Sequence, residues 1–459
     1  MRIDQLELEN FRGIKKGIFE FPRAASRPQG GNGSFNLLAG PNGAGKSSIL
    51  EGLAVAASGL FLGMRGSDIR HITDTDVHTE IVNKEGRDLE LEHYPVKVTA
   101  RGMVQFTVEG KTKNQDISWT RSRESSKGRT TSKDAKRMVQ FSTLILGNAY
   151  LNHQNAIPLI SYYKAGRLWT EPRDTVKKRK KSLKAMGPHH MGGTPEQEIE
   201  KSVKQFVKRI SGYSDSVNGR CSPRDLQRWL VLEDYKQYQG NTESIHAAIV
   251  KEAILQSLPD FEEIRISPGL GKLIFKTNDH WIEFSKLSEG QRDVCALVGD
   301  IAWKAAQLNP HLGKDALRKT RGIVLIDELE QHLHPAWQRR IVHRLQEIYP
   351  EIQFICATHS PQVIGEVPAE EIRLLSDGED YSPLYSKGID SSRILDEIMD
   401  TTSRSEEDIK QIHKLANALD NEDFKKSEEL LEDLVNRFGE NDPEVTRGRT
   451  LLKFLKDTA

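Results

Sequence analysis

In RIDQLELENF the apolar positions Ile3, Leu6 and Leu8 are separated by polar ones, and KKGIFEF resumes the alternation after a turn at Gly13. This pair predicts an antiparallel hairpin. SFNLLAG is mostly apolar and ends at Gly40, as a buried strand would, and a helix is expected from about Gly45 through residues 50–60. YPVKVTARGMVQFTVEG and QDISWTRS alternate like two further antiparallel strands. Residues 121–137 are basic, serine-rich and poor in apolar positions, which predicts a mobile loop. AIPLISYY predicts a short buried strand. Residues 173–193 carry a dense basic run with a Gly/Pro/His end and no periodicity, as expected of a loop or a disordered segment.

EQEIEKSVKQFVKRI and SPRDLQRWLVLEDYKQYQ have helical spacing, and strands resume at FEEIRISPG, GKLIFKT and WIEFSKL. A helix over residues 288–307, the buried strand GIVLIDE, the helix PAWQRRIVHRLQEIYP and the buried strand QFICATHS follow. Strands and helices alternating at this spacing predict an α/β fold with a parallel sheet. From Ser391 onward the chain is helical and acidic, with stripes at Ile409, Ile412, Leu415, Leu419 and at Leu430, Leu431, Leu434, Phe438. The expected organisation is an N-terminal lobe over residues 1–165 and a helical insertion with a basic loop over 166–250. A C-terminal lobe over 251–390 and a helical acidic appendage over 391–459 complete it.

A chain of 459 residues is too long for one ordinary core. Lys+Arg and Asp+Glu both total 66, so net charge gives no general argument for nucleic acid or a membrane. Cys221, Cys295 and Cys356 form no CxxC pair, which points away from a zinc site or a disulfide framework and fits a reducing cytoplasm. The charged start MRIDQLELEN predicts no signal peptide. LEGLAVAASGLFLGM is interrupted by three glycines and a Glu, so no membrane span is expected.

GPNGAGKSS is a full phosphate-loop motif between a strand and a helix. Gly40, Pro41, Asn42, Gly43, Ala44 and Gly45 let backbone N–H groups turn inward toward phosphates, and the helix that follows adds its positive end. Lys46 is expected on the β- and γ-phosphates of ATP, Ser47 on Mg²⁺, and Ser48 beside them. IVLIDE delivers Asp327 and Glu328 at the carboxyl end of a buried strand, where open parallel sheets bind ligands. Asp327 is the candidate for the Mg²⁺ shell and Glu328 for orienting or deprotonating the attacking water. His359, at the end of CATHS, is placed to contact the γ-phosphate or the water; a structural histidine is the other reading.

Phosphate loop, LSEGQ, apolar strand with DE, and strand ending in His, in that order, resemble an ABC-type ATPase head, closer to the SMC, RecF and Rad50 branch than to transporters. LELENFRGIKK resembles that branch, in which the arginine after Asn-Phe lies near the nucleotide; here it is Arg12. IDELEQHLHPAWQRR with ATHSPQVI resembles the stand-alone AAA-type ATPases of bacterial defence systems. SYYKAGRLW and RISGYSDSVNGRCSPRDLQRWL resemble the narrower PtuA family of Septu systems and related retrons. The resemblance covers about residues 1–375, and more weakly the tail. The Q-loop glutamine of such heads has no clear counterpart: Gln154 fits in sequence order, but YYKAGR occupies the expected place.

The resemblance implies that Ser288, Glu289, Gly290 and Gln291 complete the phosphate site of a second head, giving a homodimer or higher homo-oligomer with shared ATP sites. A plain helix cap at Ser288 is the competing reading, since serine is a good N-cap. The PtuA resemblance further implies a partner HNH nuclease of the PtuB kind, cytoplasmic placement and a role in anti-phage defence. KKRKKSLK is either a solvated loop or a DNA-backbone contact, and Arg339 and Arg340 are expected at a surface or interface. A RecF-like repair clamp without a nuclease partner is the alternative. A nuclease fused to the ATPase would need a further domain with a Glu and a DxD cluster, and PHHMGG is not an HNH motif. A module that only holds ATP structurally is a further alternative.

Overall fold

A computed structural model describes all residues except 24–32, 65–68, 85–86, 109–110, 167–195, 218–220, 241–243, 268–269, 377–378, 400, 403 and 459. The basic run at residues 173–193 lies outside the described residues. The chain opens with the expected hairpin, β1 (Arg2–Phe11) and β2 (Ile14–Glu20), then β3 (Phe35–Ala39) and α1 (Lys46–Ala57). A second hairpin, β4 (His78–Lys84) with β5 (Arg87–His93), precedes β6 (Val96–Val108) and β7 (Lys111–Arg123). Helix α2 (Lys136–Leu151) leads to β8 (Leu159–Tyr163), and helices α3 (Glu196–Ile210), α4 (Pro223–Gly240) and α5 (Ile245–Ser257) follow. Then come β9 (Glu263–Ser267), β10 (Lys272–Lys276) and β11 (Trp281–Glu283), α6 (Glu289–Leu308), β12 (Gly322–Ile326), α7 (Pro335–Ile348) and β13 (Ile352–Ala357). Strands β14 (Ile372–Ser376) and β15 (Glu379–Tyr381) close the first compact unit, Met1–Ile389.

The central sheet has six strands in the order β15-β14-β3-β13-β12-β8. All its pairings are parallel except that of the edge strand β15. Every residue of β3, β8, β12 and β13 is buried. These runs are apolar without alternation because a parallel sheet is covered on both faces. The carboxyl ends of β3, β13, β12 and β8 therefore lie side by side at one edge. An antiparallel sheet, β2-β1-β6-β7, packs on the other side of α1: a Cβ on Gly52 would meet the Leu8 and Leu6 side chains, and Trp119 Nε1 donates to the Ala56 carbonyl at 3.0 Å. Helix α1 is thus buried almost all round, which its continuous apolar sequence requires.

Two sequence expectations are corrected. Residues 121–137 are not one mobile loop, because Arg121 and Arg123 are buried residues of β7 and α2 begins at Lys136. Their positive charge concealed a strand end, since a long cation can bury its stem among apolar groups. Gln154 lies before β8, at the opposite edge of the sheet from Asp327, because β8 runs parallel to β12. Helices α2 and α5, the β4–β5 hairpin and strands β14 and β15 have no counterpart among the expected elements. Arg209, at the end of α3, is fully buried and donates to the carbonyls of Leu308 (2.9 Å), Asn155 (2.8 Å), Ala149 and His153 (both 3.2 Å). It satisfies carbonyls at the ends of α6 and α2 that would otherwise be unpaired. Burial pushes its guanidinium down to about 10.

Asp390–Ala459 is a second compact unit. Its helices α8 (Glu406–Asp420), α9 (Phe424–Phe438) and α10 (Pro443–Thr458) pack around Leu415, Leu419, Leu431, Leu434, Val445 and Leu452. Arg404 contacts both carboxylate oxygens of Asp442, at 3.0 and 2.8 Å, and lies over the Phe438 ring.

Candidate functional site

The chain leaves β3 through Gly40, whose φ is +142° and where a Cβ would lie 2.3 Å from the Leu375 carbonyl oxygen, so no other residue fits. Pro41, Asn42 and Gly43 are exposed at the tip, Ala44 is half-buried, and Gly45 caps α1 with a left-handed φ of +95°. Lys46 is only 5% exposed, and its ammonium donates to the carbonyls of Gly40 at 2.7 Å and Pro41 at 2.8 Å. Burial pushes that ammonium down to about 8, against the opposing pull of Asp327, Glu330 and Glu328. Ser47 is exposed on the first turn of α1, with Ser48 half-buried next to it.

Asp327 and Glu328 emerge from β12 beside this loop. The Asp327 N–H donates to the Tyr163 carbonyl at 2.8 Å, which ties the acid strand to the end of β8. The Asp327 carboxyl is held above its usual range, chiefly by burial, although it accepts hydrogen bonds from the Ser47 hydroxyl and the Glu328 N–H. Ser47 and Asp327 therefore present two hard oxygen donors together, a set that suits Mg²⁺ shared with phosphate. Glu328 sits at a left-handed φ of +48°. A non-glycine residue there carries about 1–2 kcal/mol of strain, the kind of cost that accompanies a fixed side-chain direction.

His359 is half-buried at the end of β13. Burial, and then the positive charge of Lys46, hold its imidazole below the usual range, so it is neutral at pH 7. Its backbone N–H donates to Glu330 Oε1 at 2.6 Å, and the Thr358 hydroxyl donates to Glu330 Oε2 at 2.7 Å. Glu330 thus fastens the histidine strand to the acid strand. The third acidic residue in DELEQ was its only sequence signal.

Arg12 lies in the β1–β2 turn at a left-handed φ of +52°. It donates to Asp76 at 2.9 Å and stands 3.7 Å from Glu51. Arg70 pairs with the same two carboxylates, at 2.9 and 3.0 Å, and Lys164 reaches Glu51 at 2.6 Å. Burial alone would raise the Asp76 carboxyl; hydrogen bonds from Arg70 and Thr73 outweigh it and hold the group low. Glu51, Asp76, Arg70 and Lys164 were not foreseen. A lone Glu in the apolar helix SSILEGLAVAA was the available signal, since a buried carboxylate demands partners.

Ser288, Glu289, Gly290 and Gln291 line a cavity to which residues 40–47 contribute nothing. His332, Leu333, His334 and Trp337 complete its lining, and its volume is about 230 Å³. Ser288 is the N-cap of α6: its Oγ accepts the Gln291 N–H at 3.2 Å, while its own N–H donates to Gln291 Oε1 at 3.0 Å. Gly290 must be glycine, because a Cβ would lie 2.4 Å from the His332 carbonyl oxygen. Glu289 stands 3.9 Å from His332 and is 53% exposed. Among the described residues no group of three His, Cys, Asp or Glu side chains could hold a metal, and no helix is long and apolar enough to cross a membrane.

An AAA-domain family model matches residues 5–264, more than half of the 459 residues, and a second AAA-domain model matches residues 222–365. The chain is 28% identical over 372 residues to the retron Vc95 probable ATPase of Vibrio cholerae serotype O1 biovar El Tor, covering 74% of this chain and 68% of that protein. It is 36% identical over 172 residues to the retron Ec83 probable ATPase of Escherichia coli, covering 37% of this chain and 31% of the relative. It is 23% identical over 395 residues to the Septu protein PtuA of Bacillus mycoides strain KBAB4, covering 85% of this chain and 43% of PtuA. The matched region thus spans less than half the length of the last two relatives.

Proposed function

The chain belongs to the AAA-domain family as an ABC-type ATPase related to the Septu and retron ATPases, and from that premise we propose that two copies close on shared ATP sites to regulate a partner HNH nuclease in bacterial anti-phage defence. The observation that carries this reading is the convergence of Lys46, Ser47, Asp327, Glu328 and His359 on the carboxyl edge of one parallel sheet.

In this reading the residues divide the work. Backbone N–H groups of residues 40–46 and the N-terminus of α1 cradle the phosphates. Lys46 exchanges the carbonyls of Gly40 and Pro41 for phosphate oxygens, whose negative charge keeps its ammonium protonated. Ser47 and Asp327 hold Mg²⁺, which supplies charge neutralisation on the phosphate oxygens. Glu328 orients the attacking water and accepts its proton. Neutral His359 donates to the γ-phosphate or the water. Arg12 approaches from the antiparallel sheet while Asp76 fixes its guanidinium.

Ser288 arrives from the second copy. Its oxygen is used as the cap of α6, yet its hydroxyl hydrogen remains available as a donor. Capping and completion of a neighbouring phosphate site are therefore compatible. The acidic C-terminal unit is assigned part of the oligomer or nuclease surface, and DNA contact is left to the basic loops. The test of the ATPase assignment is Glu328→Gln, which keeps side-chain volume and removes the basic carboxylate. Hydrolysis should be lost while ATP binding by calorimetry persists; hydrolysis at the wild-type rate would overturn the role of Glu328.

A further inference from the structure

The ion-pair cluster beside the phosphate loop contains one cation more than it has carboxylates. Glu51 and Asp76 face Arg12, Arg70 and Lys164. Asp327, Glu328 and Glu330 around Lys46 carry the opposite excess at the same edge, so a phosphate there is favoured by how freely one cation can be redirected and not by net charge. The three cations are not equivalent. Arg70 is 13% exposed and holds both carboxylates. Arg12 is fixed on Asp76, and its carbonyl is bonded to the His78 ring at 2.6 Å. Among the described residues Lys164 pairs with Glu51, lies 5.5 Å from the Tyr162 ring centroid, and is the most exposed of the three at 38%. A lysine ammonium on a flexible stem is also the easiest of these groups to redirect.

Lys164 directly follows β8, whose Tyr163 carbonyl accepts the Asp327 N–H. Residue 164 and the acidic pair therefore leave neighbouring parallel strands at the same edge. Its partner Glu51 follows Ser47 by four residues on α1, about 6 Å along the helix axis. The ammonium thus rests about one helical turn below the hydroxyl that bonds Asp327.

We propose that Lys164 senses the terminal phosphate: with ATP on the Lys46 loop its ammonium leaves Glu51 for the γ-phosphate, and with ADP it stays on Glu51. The inference rests on the assignment of nucleotide to that loop. Glu51 is not stranded by the exchange, because Arg70 remains at 3.0 Å and Arg12 at 3.7 Å. Strand β8 is also fastened to α6. The Tyr163 hydroxyl donates to Asp300 at 2.7 Å, and the buried Lys304 ammonium contacts Ser161 at 2.8 Å and Asp300 at 2.7 Å. A change at residue 164 is therefore linked to the helix that Ser288 caps.

Calorimetric titrations with ATP and with ADP on wild type, Lys164→Gln and Lys164→Arg test this, with melting temperature as the folding control. In Lys164→Gln, ADP affinity should stay within about threefold of wild type while ATP affinity falls by about tenfold or more, and Lys164→Arg should recover most of the loss. If Lys164→Gln binds both nucleotides as wild type does, the sensor is wrong while the Lys46 site stands. If both affinities fall equally, Lys164 acts only through the fold around Glu51, and the inference is again overturned. If wild type binds neither nucleotide, the assignment of the Lys46 loop fails and the sensor with it.

Discussion

Lys46 ties nucleotide affinity to pH. Its ammonium is buried among loop carbonyls, and desolvation brings it down to about 8 even with three carboxylates nearby. Phosphate oxygens at the ammonium would push it back up, so ATP selects the protonated form. Binding that prefers the protonated form is strongest below the free-state value and is lost as pH rises through it. At pH 9 about nine-tenths of the free protein would have a neutral Lys46, so ATP affinity should be about tenfold weaker than at pH 7, or about 1.4 kcal/mol. Binding at pH 9 should take up nearly one proton. This window lies above the phosphate's own second ionisation, at about pH 6. Calorimetry at the two pH values, in two buffers of different ionisation enthalpy, reads both quantities. Equal affinities at pH 7 and 9 with no buffer-dependent heat would refute the reasoning, because Lys46 would then either keep its charge throughout or not meet the phosphates.

Lys46→Ala should abolish ATP binding with little change in melting temperature, since among the described residues its ammonium donates to the carbonyls of its own loop; wild-type affinity in a titration would remove the site assignment. Arg209→Met should lower thermal stability by about 3 kcal/mol or more, because buried carbonyls lose their donor at about 1–3 kcal/mol each. The purified chain alone should not cut DNA with Mg²⁺ or Mn²⁺, and cleavage should need the HNH partner; cleavage lost on mutating acids or histidines away from the Lys46 loop would return the nuclease to this chain.

The parts of the site legible in sequence are those built from contiguous residues. A strand, a glycine loop and a helix start are one local unit, and so are the apolar strand ending in Asp327–Glu328 and the cap at Ser288. What stayed hidden depends on residues distant in sequence. Arg12, Glu51, Asp76 and Lys164 meet because β1, α1, the segment before β4 and the end of β8 converge, and no spacing rule encodes that. Gln154 was misleading for a related reason: sequence order fixed its place before β8, but only the strand direction reveals which edge that is. Helix α2 was obscured because its apolar positions run through polar neighbours with weak contrast, and the β4–β5 hairpin because Ile81, Leu89 and Leu91 lie exposed on it.

The most direct test of the shared site joins Ser288 of one copy to the phosphate loop of another. Ser288→Cys and Ala44→Cys are placed on separately tagged chains carrying Glu328→Gln, with Cys221, Cys295 and Cys356 replaced; all three are buried in the native chain. Because Glu328→Gln retains ATP, the closed pair should accumulate, and a short bifunctional thiol reagent should link the two chains with Mg–ATP but not without nucleotide. Adding Ser288→Arg to a matched Glu328→Gln chain should abolish ATP-dependent pairing while leaving its own ATP binding intact. A cross-link that forms equally with and without ATP, or only within one chain, would contradict the account.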